Sequence, residues 1–145
     1  MKNIINELKN YFDVTELVCP HVYNRFKDSS WYFFDKDLLE VLLWLRKTID
    51  KPITVNNWKN GGQFSQRGIR CNCCQLVKSK SQTYMSAHIL GKGVDLDVKG
   101  MTAEQTRQWI KEHKDELPHN IRLEKGVNWV HLDVRNYTDE KIEMF

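Results

Sequence analysis

Val94-Asp95-Leu96-Asp97-Val98 and Trp129-Val130-His131-Leu132-Asp133-Val134-Arg135 both alternate strictly, one aliphatic residue and then one of another kind. Side chains on a strand point alternately to its two faces, so a period of two marks a half-buried strand. In the first run Val94, Leu96 and Val98 share the core face, and Asp95 and Asp97 share the other. In the second, Val130, Leu132 and Val134 face inward, which leaves Trp129, His131, Asp133 and Arg135 together on a polar face. Residues 121–124 read as a strand leading into the second run, joined to it by a short turn around Lys125-Gly126.

Gly100 ends the first of these strands. Thr102, with Gln105 three residues on, is a capping pair for a helix reaching to about Glu116, before Pro118. Upstream, Leu38, Val41, Leu42, Leu45 and Ile49 recur at helical spacing after Asp35 or Asp37. Asp37 and Glu40 are spaced as its capping pair, and Lys51-Pro52 stops it. Residues 3–11 are expected to form a first helix, and Ile53-Thr54-Val55 a short strand. The fold class that follows is α+β: a small, mainly antiparallel sheet with helices packed on one side, in a single domain over 1–145.

Composition is consistent with that. The 145 residues fit one core, and 41% hydrophobic with 28% charged residues is ordinary for a globular chain. The net charge of +3 is spread among acids, with Lys78 and Lys80 the only small basic cluster, so no nucleic-acid partner is expected. No run is long and apolar enough for a signal peptide or a membrane span, so no membrane role is expected either. The chain is expected to be made in the cytoplasm and to act as a monomer.

From 59 to 86 the chain is polar and irregular, with Gly61-Gly62, Gly68 and most of the cysteines. A loop of that length in a compact domain is usually functional or disordered, and its neighbours here favour function. Cys19 stands apart, while Cys71, Cys73 and Cys74 crowd together at spacings unlike a zinc knuckle. Reduced structural thiols are expected of them; a disulfide or a metal-binding module centred on the cysteines is the alternative. His21, His113 and His119 are expected to have no metal role.

The chemistry concentrates in two segments. Ser86-Ala87-His88-Ile89-Leu90-Gly91-Lys92-Gly93-Val94-Asp95 puts a histidine on a loop and an aspartate on a strand. The second alternating strand brings His131 onto a polar face. Alone, either histidine reads as an ordinary hydrogen-bonded residue. Together, two imidazoles and a carboxylate suit a catalytic zinc, which keeps three protein ligands and one open position.

Ser-x-His-x-x-Gly-x-x-x-Asp followed by Trp-Val-His-x-Asp resembles the zinc D-alanyl-D-alanine carboxypeptidase and L-alanyl-D-glutamate endopeptidase family. That family has the hedgehog/D,D-peptidase fold. The resemblance runs from Phe12-Asp13-Val14-Thr15-Glu16-Leu17 to Arg135 and includes Ile53-Thr54-Val55-Asn56-Asn57-Trp58. It looks closest to compact phage or prophage endolysins. It implies one Zn2+ per chain held by His88, Asp95 and His131, Ser86 as a substrate hydrogen-bonding residue, and a peptidoglycan stem peptide as substrate. It also implies an arginine ahead of the first motif that steadies an oxyanion or a substrate carboxylate, with Arg70 and Arg67 as candidates. An enzyme of this kind without a leader would reach the wall after release by another protein.

The chain departs from the family pattern at the general base. Relatives place an acid three residues before the second zinc histidine, where this chain has Asn128, and an amide cannot accept the proton. Glu124 is the favoured replacement: a four-residue loop over 125–128 would set it opposite Trp129, on His131's face. Asp133, two residues beyond His131, is the other catalytic candidate, or else orients an imidazole from outside the ligand set. A zinc-stabilised binding module that has lost catalysis is the competing functional reading.

Overall fold

A computed structural model describes residues 1–145. The elements run α1 (Lys2–Leu8), α2 (Pro20–Phe26), α3 (Lys36–Ile49), β1 (Ile53–Thr54), α4 (Gln75–Lys78), β2 (Gly93–Val98), α5 (Ala103–Glu112), β3 (Ile121–Leu123), β4 (Val130–Asp133) and β5 (Ile142–Met144), with short 3-10 turns between several of them. The strands form one sheet in the order β1-β2-β4-β3-β5. Every neighbouring pair is antiparallel except β3 with β5, which is parallel. The fold class is α+β, with a mixed and mainly antiparallel sheet.

The alternation seen in the sequence decides which face is buried. Val94, Leu96, Val130, Leu132, Ile121 and Leu123 pack in one core with Leu38, Val41, Leu42 and Leu45 of α3 and Ile110 of α5. Trp44 of α3 also meets Trp109 of α5, at 5.9 Å between ring centroids. The sheet's other face carries Asp95, His131, Asp133 and Arg122.

Helix ends follow local chemistry, with one correction. The cap of α3 is Asp35, whose side chain accepts the Asp37 amide at 2.9 Å. Asp37 therefore lies inside the first turn, and Glu40 bonds to Lys36 and His119 rather than to a cap. Thr102 and Gln105 form the expected capping box of α5, which closes in a 3-10 turn over Lys114–Glu116. The first helix ends at Leu8, short of the expected Tyr11. Residues 13–34 hold α2 and two 3-10 segments too short to show a period, and Trp31 from this region is 1% exposed. No helix is long and apolar enough to cross a membrane.

Candidate metal centre

The site begins with register. β2 and β4 pair so that Asp95 stands directly across from His131, on the sheet face opposite Val94, Leu96, Val130 and Leu132. His88 arrives from a turn in which the Leu90 amide bonds to the Ser86 carbonyl and the Gly91 amide to the His88 carbonyl. Gly91 closes that turn at φ +67, and a Cβ there would lie 2.1 Å from the Phe33 carbonyl oxygen, so only glycine lets the chain pass.

The ligand atoms of His88, Asp95 and His131 all lie within 4.8 Å of one another, and all three residues are buried. Each imidazole is held from behind. His88 Nδ1 is 2.9 Å from the Gly68 carbonyl oxygen. A carbonyl only accepts, so Nδ1 carries the proton and the Nε2 lone pair faces Asp95 Oδ2, 3.4 Å away. His131 Nε2 lies 2.9 Å from Asp133 Oδ2, and its Nδ1 lies 2.8 Å from Asp95 Oδ1. Both rings thus turn one nitrogen toward a shared carboxylate while the other is fixed by an outer partner, as metal-binding histidines require.

Electrostatics fit a cation. Burial works against charge on Asp95, but its hydrogen bonds with His131 and His88 outweigh that and hold its carboxyl well below the usual carboxylate range. Burial also disfavours an imidazolium, yet Asp133 and Asp95 on either side raise the His131 pKa to about 9. His131 thus lies between two carboxylates, Asp95 and Asp133, and a cation beside Asp95 would meet the same negative field. Two imidazoles and a carboxylate also match the donors zinc takes in catalytic sites.

Asp133 is fully buried and already engaged. Arg122 binds it through two hydrogen bonds, 3.0 and 2.8 Å, and the Arg135 amide donates to it at 2.9 Å. Both of its oxygens are occupied, and one of them faces His131 Nε2, an arrangement that suits the orienting role among the two expected of it. Glu124 is placed differently. Pairing of Arg122 with Asp133 and Leu123 with Leu132 continues through a hydrogen bond from the Glu124 amide to the His131 carbonyl. Glu124 therefore stands opposite His131, closer than the expected place opposite Trp129, and on the same face. Directly paired residues of this type have Cα atoms about 5.5 Å apart. The Glu124 carboxylate is partly exposed and makes no hydrogen bond or ion pair.

The two arginines separate. Arg70 Nη2 donates to Asp95 Oδ2 at 3.1 Å, with its Nε held by the Gln66 carbonyl. Arg67 instead pairs with Asp97 at 2.7 Å and lies over the Phe64 ring. The Arg67 backbone is bracketed by Asn56, whose side-chain oxygen accepts the Arg67 amide, and by the Asp95 amide, which donates to the Arg67 carbonyl. Asn56 was not singled out in the sequence, because nothing local shows that its buried amide spans two segments. Ser86 uses its hydroxyl to accept the Ile89 amide at 3.4 Å, so it shapes the His88 turn.

Asp95 lies in the wall of an open cleft of about 550 Å³, with Arg67, Arg70, Asp97, Asn128 and Trp129 around it. Comparison of the chain with protein-family models, with curated proteins and with solved structures gave no match.

Proposed function

We propose that this chain is a zinc-dependent hydrolase of the hedgehog/D,D-peptidase fold that cuts a peptide bond in bacterial peptidoglycan stem peptides. The reading rests on one observation above the others. Three buried donors, two of them imidazoles with their outer nitrogens already bonded, converge on one point beside an open cleft. The sequence resemblance supplies the substrate class and the fold assignment.

His88, Asp95 and His131 would hold the zinc, and the bound ion would act as a Lewis acid toward the scissile carbonyl and toward water. Arg70, next to Asp95, donates to oxygen where charge develops, and a fixed guanidinium does this without reorganising. Glu124 carries the free carboxylate on His131's face and accepts the proton. Trp129, 37% exposed, offers a flat apolar wall to the stem peptide. Asn128 also lines the cleft and has both a donor and an acceptor for a peptide group.

Purified peptidoglycan tests the reading directly. Zinc-loaded protein is expected to release stem-peptide fragments seen by mass spectrometry, to stop when chelated, and to resume when zinc is returned. Protein that holds zinc in this cluster but leaves the wall intact would be a binding module instead.

Two substitutions address the mechanism. Arg70→Ala is expected to lower kcat by about 10² to 10³ with metal content unchanged, and Arg67→Ala by clearly less. Equal losses would mean that the contact with Asp95 does not select Arg70. Glu124→Gln keeps shape and removes the proton acceptor, so activity should fall about 10² or more and the acidic limb of the pH–rate profile should vanish. Full activity in Glu124→Gln would remove Glu124 from the reaction.

A further inference from the structure

Outside the cleft, Cys19, His21, Cys71 and Cys74 bring their ligand atoms within 4.8 Å of one another. The Sγ atoms of Cys19 and Cys71 are 3.7 Å apart and those of Cys71 and Cys74 4.0 Å apart, and Cys74 Sγ lies 3.8 Å from His21 Nδ1. All four cysteines are free thiols, and these separations are far beyond a disulfide bond of about 2.05 Å. The three separations are instead close to the edges of a zinc-centred tetrahedron. Zinc–sulfur bonds of about 2.3 Å and zinc–nitrogen bonds of about 2.05 Å give edges of about 3.8 Å between sulfurs and about 3.6 Å from sulfur to nitrogen.

Two backbone amides also point at the sulfurs. The Cys73 amide donates to Cys71 Sγ and the Cys71 amide to Cys74 Sγ, each at 3.4 Å. Such bonds stabilise negative sulfur, and a neutral thiol has less use for them. Cys19 and Cys74 are buried, whereas Cys73 is exposed and outside the cluster. The sequence expectation is corrected here in two respects. The informative spacing is Cys71-x-x-Cys74, within the usual two-to-four gap, and not the adjacent Cys73-Cys74; and His21 joins the cluster.

We propose that Cys19, His21, Cys71 and Cys74 form a closed, structural zinc site, separate from the His88–Asp95–His131 cluster. Four protein donors leave no open position, so the site supports the fold and not the chemistry. What it supports is specific. Cys19 begins α2 with Pro20 at its first position, and Cys74 begins α4. Between them the backbones are joined by Cys19 amide to Ile69 carbonyl and Ile69 amide to Leu17 carbonyl. The metal would fasten the start of α2 to the loop that carries Gly68 and Arg70. Gly68 is the anchor of His88, and a Cβ there would come 1.8 Å from the Leu17 carbonyl oxygen, so this junction has no slack. The site thereby acts as a positioning device for both Arg70 and His88.

The test uses the full chain loaded with zinc or with cobalt(II). Zinc-loaded wild type is expected to hold two ions per chain, and the cobalt form to show a thiolate-to-cobalt charge-transfer band. Cys71→Ser and Cys74→Ser should each lose one ion and the band, while Cys73→Ser should keep both. His88→Ala should lose one ion but keep the band, which separates this site from the proposed catalytic one. Because a cysteine variant can fail to fold, wild type is also alkylated with and without chelator. Cys73 should react at once, and Cys19, Cys71 and Cys74 only after the metal is removed. A cobalt-loaded wild type without the band, or equal alkylation of all four cysteines in zinc-loaded protein, overturns the proposal.

Discussion

Replacing His131 with alanine is expected to abolish wall hydrolysis and to remove one bound zinc per chain. His131 contributes the Nδ1 that faces Asp95 at 2.8 Å, and no other nitrogen in the pocket can take its place. Loss of an outer hydrogen bond alone costs metal affinity about 10- to 100-fold, so loss of the ligand itself should cost more. His88→Ala should behave alike, with an added loosening of the turn that bonds to Gly68. Elemental analysis and a wall-digestion assay on both variants decide the matter. Full metal content and full activity in both would end the assignment of these residues as ligands. Chelation of wild type should also lower its thermal midpoint, since bound metal stabilises the folded state by mass action.

Asp133→Ala is expected to produce the largest loss of stability of any single change in the site, about 3 to 5 kcal/mol, because it leaves Arg122 buried without its partner. The Arg122 side chain is 10% exposed and that of Asp133 0%. Water cannot take over the lost bonds, and the guanidinium is further enclosed by the Phe145 and Tyr137 rings at 4.3 and 5.1 Å. A double change, Arg122→Met with Asp133→Leu, should be less destabilised than Asp133→Ala, since no buried charge remains unpaired. Asp133→Asn should be better tolerated still, but metal affinity should fall about 10- to 100-fold as His131 Nε2 loses its carboxylate. Denaturant midpoints and zinc titrations measure both effects. If Asp133→Ala unfolds at the wild-type midpoint, the Arg122 pair contributes little and the role given to Asp133 is wrong.

Much of the frame was legible along the chain because its causes are local. Side chains on a strand repeat every two residues, so the aliphatic positions of β2 and β4 announced their buried face, and Asp95 and His131 their polar one. Helical spacing in α3 and the Thr102–Gln105 cap of α5 are set within a few residues, and both elements formed there. β5 and the three-residue 3-10 turns were silent for the same reason: a run of three residues has no period to read. The Asp37–Glu40 pair misled because Asp35 was an equally good cap two residues earlier, and His119 and Lys36 claimed Glu40 from outside the turn.

What the sequence determined by itself was which side chains share a face and which residue types were at hand for a metal. Only the tertiary structure decided which of them meet. Asp95 finds His131 through a register set 36 residues apart, and Cys19 finds Cys71 across 52. Arg70 is separated from Arg67, and Glu124 from Asp133, by packing around each side chain rather than by any local pattern. Such contacts depend on how whole elements close on the core, and residue spacing along a chain carries no record of that closure.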